Sequence, residues 1–416
     1  MSSNSDMVAV IGAGFVGLCC AISLTERFRN VALIDPGDFR RAASFGNAGQ
    51  LAVGEVVPLA GPDVLRSLPG WLMDPLGPLT VRWHYFPKAL PWFLRFMREG
   101  NMERVRRNSQ VMAALCDMIE PDFSPLLAAA KAGHLVKRKP YLRAYQDEAQ
   151  WRAEGYRWAL RESGGLKYDI LDADELRKAV PRIGRQFTFA VALKERHYIS
   201  DLPALHRALQ ALFTARGGQI VRGEVEAFAA GGDAVSAVRL AGGGDIDVAG
   251  VVVAAGAWSS RLSARLGDRV PLESERGYHV TLPNAGIDLA QSVSYVSRGL
   301  VITPMNDGLR LAGTVEFAGL DAPPNMARAD KLVDAARILL PGIDTSNSIP
   351  WMGHRPSFPD SLPVIDRSSR YKNAFYAFGH GHMGLSWAAT TGRLLSGLMG
   401  GQAMDFDMRP FRLGRF

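Results

Sequence analysis

An apolar run of seventeen residues, Val8 to Leu24, carries Gly12, Gly14 and Gly17 at a GxGxxG spacing. Length alone would suggest a membrane span or a secretory segment. Seventeen residues is short for a span, and no basic stretch precedes the run. The glycines divide it into a strand, Met7 to Ile11, a tight turn, and a helix reaching about Arg29. A second strand, Val31 to Ile34, ends on Asp35, eighteen residues past Gly17. This is a βαβ unit, the context in which GxGxxG binds a dinucleotide. Gly12 allows the sharp turn, Gly14 lets backbone approach a pyrophosphate, and Gly17 lets helix and strand pack closely. The helix start offers free N–H groups and a positive dipole end to phosphates. Asp35 can accept hydrogen bonds from ribose hydroxyls, and an acid there disfavours a 2′-phosphate and hence NADP.

With 416 residues, 47% hydrophobic and 21% charged, the chain can bury a large core, which excludes global disorder and predicts two or three domains. Of three cysteines, Cys19 and Cys20 are adjacent and Cys116 is distant. That pattern fits neither a disulfide framework nor a metal site, and it predicts a reducing, cytoplasmic setting without a targeting segment. The formal charge is +7. Aromatics alternate with Arg82, Lys88, Arg95, Arg98, Arg104, Arg106 and Arg107. The plain reading is a solvated helical face with aromatic anchors. The functional alternative is peripheral contact with an anionic bilayer on the cytoplasmic face of the inner membrane. No nucleic-acid motif accompanies the patch, so nucleic acid is not an expected partner.

Residues 58–91 are rich in Pro, Gly and Trp and predict turns. Helices are expected over Asn101–Ala130, Asp201–Ala215, Ala327–Leu340 and Ser386–Met399. Short strands are expected at Gln219–Val221 and Glu224–Phe228, a hairpin from Ala234–Leu240 and Ile246–Val248, and a buried strand at Val251–Ala254.

Four further blocks follow the glycine motif: SFGNAGQ (Ser44–Gln50), AAGAW (Ala254–Trp258), GHRPSFPDSLPVI (Gly353–Ile365) and GHGHMGLSWAATTGRLL (Gly379–Leu395). In this order they resemble the FAD-dependent D-amino-acid oxidase superfamily, with the nearest likeness to bacterial D-amino acid dehydrogenases. The resemblance spans essentially the whole chain and is weakest between about 60 and 190. It implies a mixed α/β fold in which a Rossmann-type FAD-binding domain (1–80, 195–270 and 345–416) is interleaved with a mixed-sheet substrate domain (81–194 and 271–344).

The resemblance also implies roles. Gly12, Gly14, Gly17 and Asp35 would hold the ADP half of FAD. Ser44, Asn47, Ala48 and Gly49 would line the pyrophosphate and flavin edge. Val225 would meet adenine, and Gly256 would pass close to the cofactor. Gly379, Gly381, Met383 and Gly384 would surround the isoalloxazine. The FAD would be non-covalent, because SFGNAGQ carries no His or Cys. Arg355 would bind the substrate carboxylate, a match of planar guanidinium to carboxylate that Lys would not replace well. Tyr278 and His382 are candidate pocket residues, Tyr141 and Tyr295 weaker ones. His354, His380 and His382 suggest a metal by count alone, but the flavin turn would project them differently and no metal site is expected. The implied reaction is oxidative deamination of a D-amino acid by hydride transfer from Cα, giving an imino acid and then a 2-oxo acid, with a quinone or another acceptor taking the electrons. Three alternatives stay open. One is a secondary or cyclic amine substrate such as cis-4-hydroxy-D-proline, sarcosine or glycine, to which the GHGHMGL turn points. The second is an NAD-dependent enzyme, which the C-terminal flavin turn argues against. The third is a membrane-associated flavin subunit or binding protein without activity of its own.

Overall fold

The computed structural model describes residues 6–64 and 79–416. The turn-rich reading of residues 58–91 therefore falls partly, at 65–78, outside the described residues. The elements used below are, in chain order, β1 (Val8–Ile11), α1 (Phe15–Leu24), β2 (Val31–Asp35), α2 (Phe86–Glu99), α3 (Met102–Asp117), α4 (Ile119–Ala129) and α5 (Leu202–Ala215). They continue as β3 (Gln219–Arg222), β4 (Val225–Gly231), β5 (Ala234–Leu240), β6 (Gly250–Val253), β7 (Glu273–Leu282), β8 (Leu300–Met305) and β9 (Gly308–Phe317). Last come α6 (Ala327–Leu339), β10 (Ile349–Ser357), β11 (Val364–Arg367), β12 (Ala374–Phe378) and α7 (Ala388–Met399).

Among the described residues the first sheet runs β3-β2-β1-β6-β12-β11. It is parallel except for the β11/β12 pair. Its central strand β1 is buried throughout, as an unbroken apolar run requires when both faces are covered. Gly12 follows at φ +105°, and a Cβ there would sit 2.6 Å from the Ala254 carbonyl oxygen. A Cβ on Gly17 would be 1.9 Å from the Gly12 oxygen, so α1 can lie on the turn only if this residue is glycine. The helix ends at Leu24 instead of reaching Arg29. The Thr25 hydroxyl donates to the Ile22 carbonyl at 2.6 Å, one of the local bonds that compete with continued helix.

One core packs α1, α3, α4, α5 and α7 together with the first sheet. The stretch expected as one helix over 101–130 is two, α3 and α4, with the break at Met118. Pro121 is the cause: it has no N–H to give the Asp117 carbonyl, and it is tolerated in the first turn of a new helix. The hairpin forms where expected, with β5 paired antiparallel to Asp245–Asp247.

The second sheet has nine strands among the described residues, and its order begins β10-β7-β9-β8. Strand β7, ESERGYHVTL, is buried along nearly its whole length. Its Tyr278, Val280 and Leu282 pack in one core with Leu332, Ala336 and Leu339 of α6. By the two-residue period of a strand, Glu275, Gly277 and His279 then face the opposite side. Strand β10 lies antiparallel to β7 and pairs Glu275 with Arg355, Gly277 with Gly353 and His279 with Trp351.

The C-terminal RPFRLGRF segment is packed against the molecule. Phe411 is fully buried, the Arg415 Nε donates to Asp360 Oδ2 at 2.7 Å, and Phe416 stacks on Phe358. These contacts occupy Phe411 and Arg415, while Arg409 and Arg412 stay exposed. Among the described residues, no helix is long and apolar enough to cross a membrane.

Helices α1 and α7 cross at close range. A Cβ on Gly392 of α7 would lie 2.6 Å from the Cys19 carbonyl oxygen of α1, a backbone atom that cannot rotate away. Gly392→Val is expected to lower unfolding stability by about 2–4 kcal/mol through overpacking, read as a fall in thermal midpoint and in the denaturant midpoint.

Candidate active site

A continuous cavity of about 1190 Å³ runs from the C-terminal end of the first sheet to the face of β7 and β10 opposite α6. At one end it is lined by Gly12, Gly14, Asp35, Val225 and Gly256, and at the other by Arg355, Gly379, Gly381, His382, Met383 and Gly384. Ser44, Asn47 and Ala48 line the stretch between. Gly17 and Gly49 do not reach the wall. Gly17 seats α1, and Gly49 turns the chain at φ +74° beneath the Ile199 carbonyl.

At the first end, helix α1 starts at Gly14 with no side-chain cap. Asp35 accepts from the Ala13 N–H through Oδ2 at 2.8 Å and from the Gly37 N–H through Oδ1 at 2.7 Å, which ties the carboxylate to the glycine turn. The Ser44 hydroxyl accepts the Phe15 N–H at 3.1 Å, so SFGNAGQ is drawn against the same helix start. Asn47 Oδ1 accepts the Gly49 N–H at 2.7 Å and closes the loop on itself.

Three side chains hold this loop from beneath. Buried Arg310 of β9 donates to the carbonyls of Phe45 and Asn47 at 3.0 and 3.1 Å. Trp351 of β10 lies between Gly46 and Gly353, where added Cβ atoms would be 1.8 and 2.0 Å from its ring. Its indole N–H donates to the Arg40 carbonyl at 2.9 Å, and its ring stacks on His279 at 4.8 Å. The His279 Nδ1–H in turn donates to the Gly46 carbonyl at 3.2 Å. The loop that lines the middle of the cavity is thus seated on the strand that carries Arg355.

At the other end the β7/β10 register organises the charges. The Arg355 guanidinium lies across Gly277, where a Cβ would be 2.1 Å from its Cζ. Its Nη1 donates to the Thr314 carbonyl at 3.3 Å and stands 3.7 Å from Glu275 Oε1. Glu275 is 3% exposed and takes His382 Nε2 on the same oxygen at 2.5 Å. Its Oε2 accepts the Ser357 hydroxyl at 2.7 Å. Burial pushes the Glu275 carboxyl up, but His382, Arg355 and Ser357 together outweigh burial and hold it at about 2. Glu275 is therefore an anion at neutral pH. Burial draws the Arg355 guanidinium below its ordinary value while Glu275 opposes that shift.

The three candidate histidines do not converge. His354 Nδ1 pairs with the Ser274 hydroxyl, His380 Nε2 with Thr391, and His382 with Glu275. His382 alone among them is largely accessible, its side chain 40% exposed. Tyr278 touches the cavity, and its hydroxyl donates to Glu316 Oε2 at 2.6 Å and accepts the Asn325 N–H at 3.0 Å. Tyr141 is covered by the Arg196 guanidinium, and Tyr295 packs edge-on against Phe187. Sequence reasoning missed Glu275, Gly277, Ser357, Trp351 and Arg310. The available signal was an acid and a glycine on alternate positions of a strand otherwise bound for burial.

The FAD dependent oxidoreductase family model, DAO, matches residues 7–398. The chain is 39% identical over 420 residues to the D-amino-acid oxidase of Bradyrhizobium diazoefficiens, covering 98% of each. It is 30% identical over 418 residues to the D-amino acid dehydrogenase of Paramagnetospirillum magneticum, again covering 98% of each. Among solved structures it shares the fold of glycine oxidase from Geobacillus kaustophilus, with a TM-score of 0.72, 21% identity and coverage of 99% of this chain and 100% of that one. Iminodiacetate oxidase from Chelativorans sp. BNC1 gives 0.72 at 18% identity, covering 97% and 98%. The cavity fits the cofactor of such a family. Its walls combine a helix start whose N-cap residue, Gly14, has no side chain, a turn at Gly12 with no room for a side chain, an acid fixed beside that turn, and a glycine-rich far end.

Burial also sets the acid response. It lowers His354 to about 4 and both His279 and His380 to about 3, with Arg276 adding to the effect at His354 and Arg310 and Arg355 at His279. In the unfolded chain these groups titrate near 6.5. Below that value the unfolded state takes up protons that the folded state refuses. Stability is expected to be flat above about pH 6.5 and to fall as pH drops toward 4, by up to ~1.4 kcal/mol per pH unit for each histidine. Denaturant titrations at pH 7.5, 6, 5 and 4.5 check this. Gly277→Val should leave the circular dichroism spectrum unchanged and weaken binding of a carboxylate probe such as benzoate about 10-fold or more, because the side chain displaces the guanidinium from its resting place.

Proposed function

The chain belongs to the DAO family of FAD-dependent oxidoreductases, and from that premise we propose that it oxidises D-amino acids, with Arg355 holding the substrate carboxylate. The observation that carries this reading is the guanidinium of Arg355. It lies flat on Gly277, 22% exposed, on the wall of the cavity that Gly379, Gly381, Met383 and Gly384 also line. Such a group presents a bidentate fork to a carboxylate, and partial burial strengthens the pairing. The 39% identity to a D-amino-acid oxidase supports the same substrate class.

In this reading Gly12, Gly14, Asp35 and Val225 hold the nucleotide end of FAD, with Gly256 passing close to it, Ser44, Asn47 and Ala48 line its middle, and Gly379, Gly381, Met383 and Gly384 its ring end, without a covalent link. Gly17 and Gly49 serve by shaping the backbone behind that wall. Bound FAD supplies the two-electron acceptor for hydride from Cα. Arg355 fixes the substrate so that Cα is presented in one orientation. His382 completes the wall near the substrate, while Tyr278 touches the cavity with its side chain held in the core against α6. The product imino acid is hydrolysed to a 2-oxo acid and ammonia. The first sheet with its helices acts as the cofactor part and the second sheet as the substrate part, with β10 contributing to the latter from within segment 345–416.

The GHGHMGL turn favours a second reading, in which a secondary or cyclic amine such as cis-4-hydroxy-D-proline, sarcosine or glycine takes the same carboxylate anchor. For the electron acceptor we propose a quinone reached at a membrane surface. The outward face of α2 supports this: Leu90, Leu94 and Met97 are exposed beside Lys88, Arg95 and Arg98, and Trp83 is 72% exposed just before it.

The visible spectrum of the purified protein, recorded anaerobically with a panel of D-amino and imino acids and their L-enantiomers, tests the substrate class. Bleaching by a D-amino acid and not by its enantiomer is expected. A flavin spectrum that no amine bleaches would discard amino-acid oxidation and leave a flavin subunit or binding protein. Arg355→Leu should retain bound flavin and lose at least about 100-fold in kcat/KM, with Arg355→Lys recovering only part of it.

A further inference from the structure

We infer that His382, oriented by the buried carboxylate of Glu275, is the base that removes the proton from the substrate ammonium. This rests on the reading that the substrate is an amino acid. Free amino acids enter as zwitterions near neutral pH, and an ammonium has no lone pair with which to expel hydride from its own Cα. A proton must leave nitrogen first, and the site must receive it.

His382 is placed to do so. Its Nε2 is committed to Glu275 Oε1 at 2.5 Å. The bond to the carboxylate oxygen takes its proton from Nε2, so in the neutral form of the ring the lone pair is on Nδ1. The ring lines the cavity and is 40% exposed. Other histidines on the same wall are engaged differently. His380 is buried against Thr391, His354 pairs with Ser274, and neither has a carboxylate partner. A carboxylate behind an imidazole fixes both its tautomer and its orientation and stabilises the imidazolium that forms.

The charged groups brought to His382 are Glu275 from β7 and, through Glu275, Arg355 from β10. Both address the same oxygen, Oε1, and the Ser357 hydroxyl holds Oε2. Arg355 and Glu275 balance each other before substrate arrives. When the substrate carboxylate engages Arg355, one negative charge is added beside the pair, and an imidazolium at His382 restores neutrality. The step is a single proton transfer: the N–H bond of the ammonium breaks, an N–H bond forms at His382 Nδ1, and the amine keeps the electron pair. The site carries the same net charge before and after. Glu275 is a positioning residue here, and His382 is the catalytic one.

Anaerobic stopped-flow reduction of the holoenzyme by D-alanine, or by whichever D-amino acid bleaches it, is measured from pH 6 to 10. The proteins compared are wild type, His382→Gln and Glu275→Gln. His382→Gln is expected to slow flavin reduction at pH 7 by about 100-fold and to approach the wild-type rate by pH 10, where free amine is plentiful. Added imidazole should recover part of the loss at pH 7, and benzoate affinity should stay within about 2-fold of wild type because Arg355 is untouched. Glu275→Gln should move the profile in the same direction. Independently of turnover, ¹⁵N NMR of the His382 ring should show Nε2 protonated and hydrogen-bonded in wild type and should lose that signature in Glu275→Gln. A His382→Gln profile superimposable on wild type, or a loss that persists unchanged at pH 10, overturns the inference while leaving the functional reading intact. A wild type that no D-amino acid bleaches overturns both.

Discussion

The antiparallel register of β7 against β10 is the constraint on which the rest of the site depends. It sets Glu275 opposite Arg355, Gly277 opposite Gly353 and His279 opposite Trp351. A shift of one residue would turn every one of these side chains to the other face, into the core shared with α6. Register is therefore enforced by burial on that far face, where Tyr278, Val280 and Leu282 pack. The chemistry of the near face follows from packing on the far one.

Within that register, two neighbouring glycines do opposite work from the glycines of the GxGxxG turn. Gly12 is needed for its backbone conformation, at φ +105°. Gly277 and Gly353 are needed because nothing projects from them, so that a guanidinium and an indole can lie flat on the sheet. Flat cationic and aromatic groups on a bare strand are fixed without long flexible stems reaching into the cavity. This keeps the side-chain ordering cost of the site low before any ligand arrives.

The βαβ unit and its glycine turn were legible from sequence because their determinants are local. Gly12, Gly14 and Gly17 act within one turn, and Asp35 ends the next strand. Arg355 was legible only through the resemblance carried by the GHRPSFPDSLPVI block. Glu275 was not, because its significance arises from pairing with Arg355, Ser357 and His382, residues far along the chain whose approach depends on sheet register. Trp351 and Arg310 escaped for the same reason: each acts on the Ser44–Gln50 loop from another part of the chain. The failure to foresee the break between α3 and α4 has a local cause, Pro121, which a strict reading of the missing N–H would have found.

The indole of Trp351 has a wider consequence. It touches the loop lining the middle of the cavity and, through β10, belongs to the same rigid strand as Arg355. Anything that orders the Ser44–Gln50 loop also restrains the strand that carries Arg355. Coupling of this kind is reciprocal: if dinucleotide binding tightens the hold on a carboxylate, a carboxylate must tighten the hold on the dinucleotide by the same factor. The two ligands would then share one structural element, and each would lengthen the residence of the other.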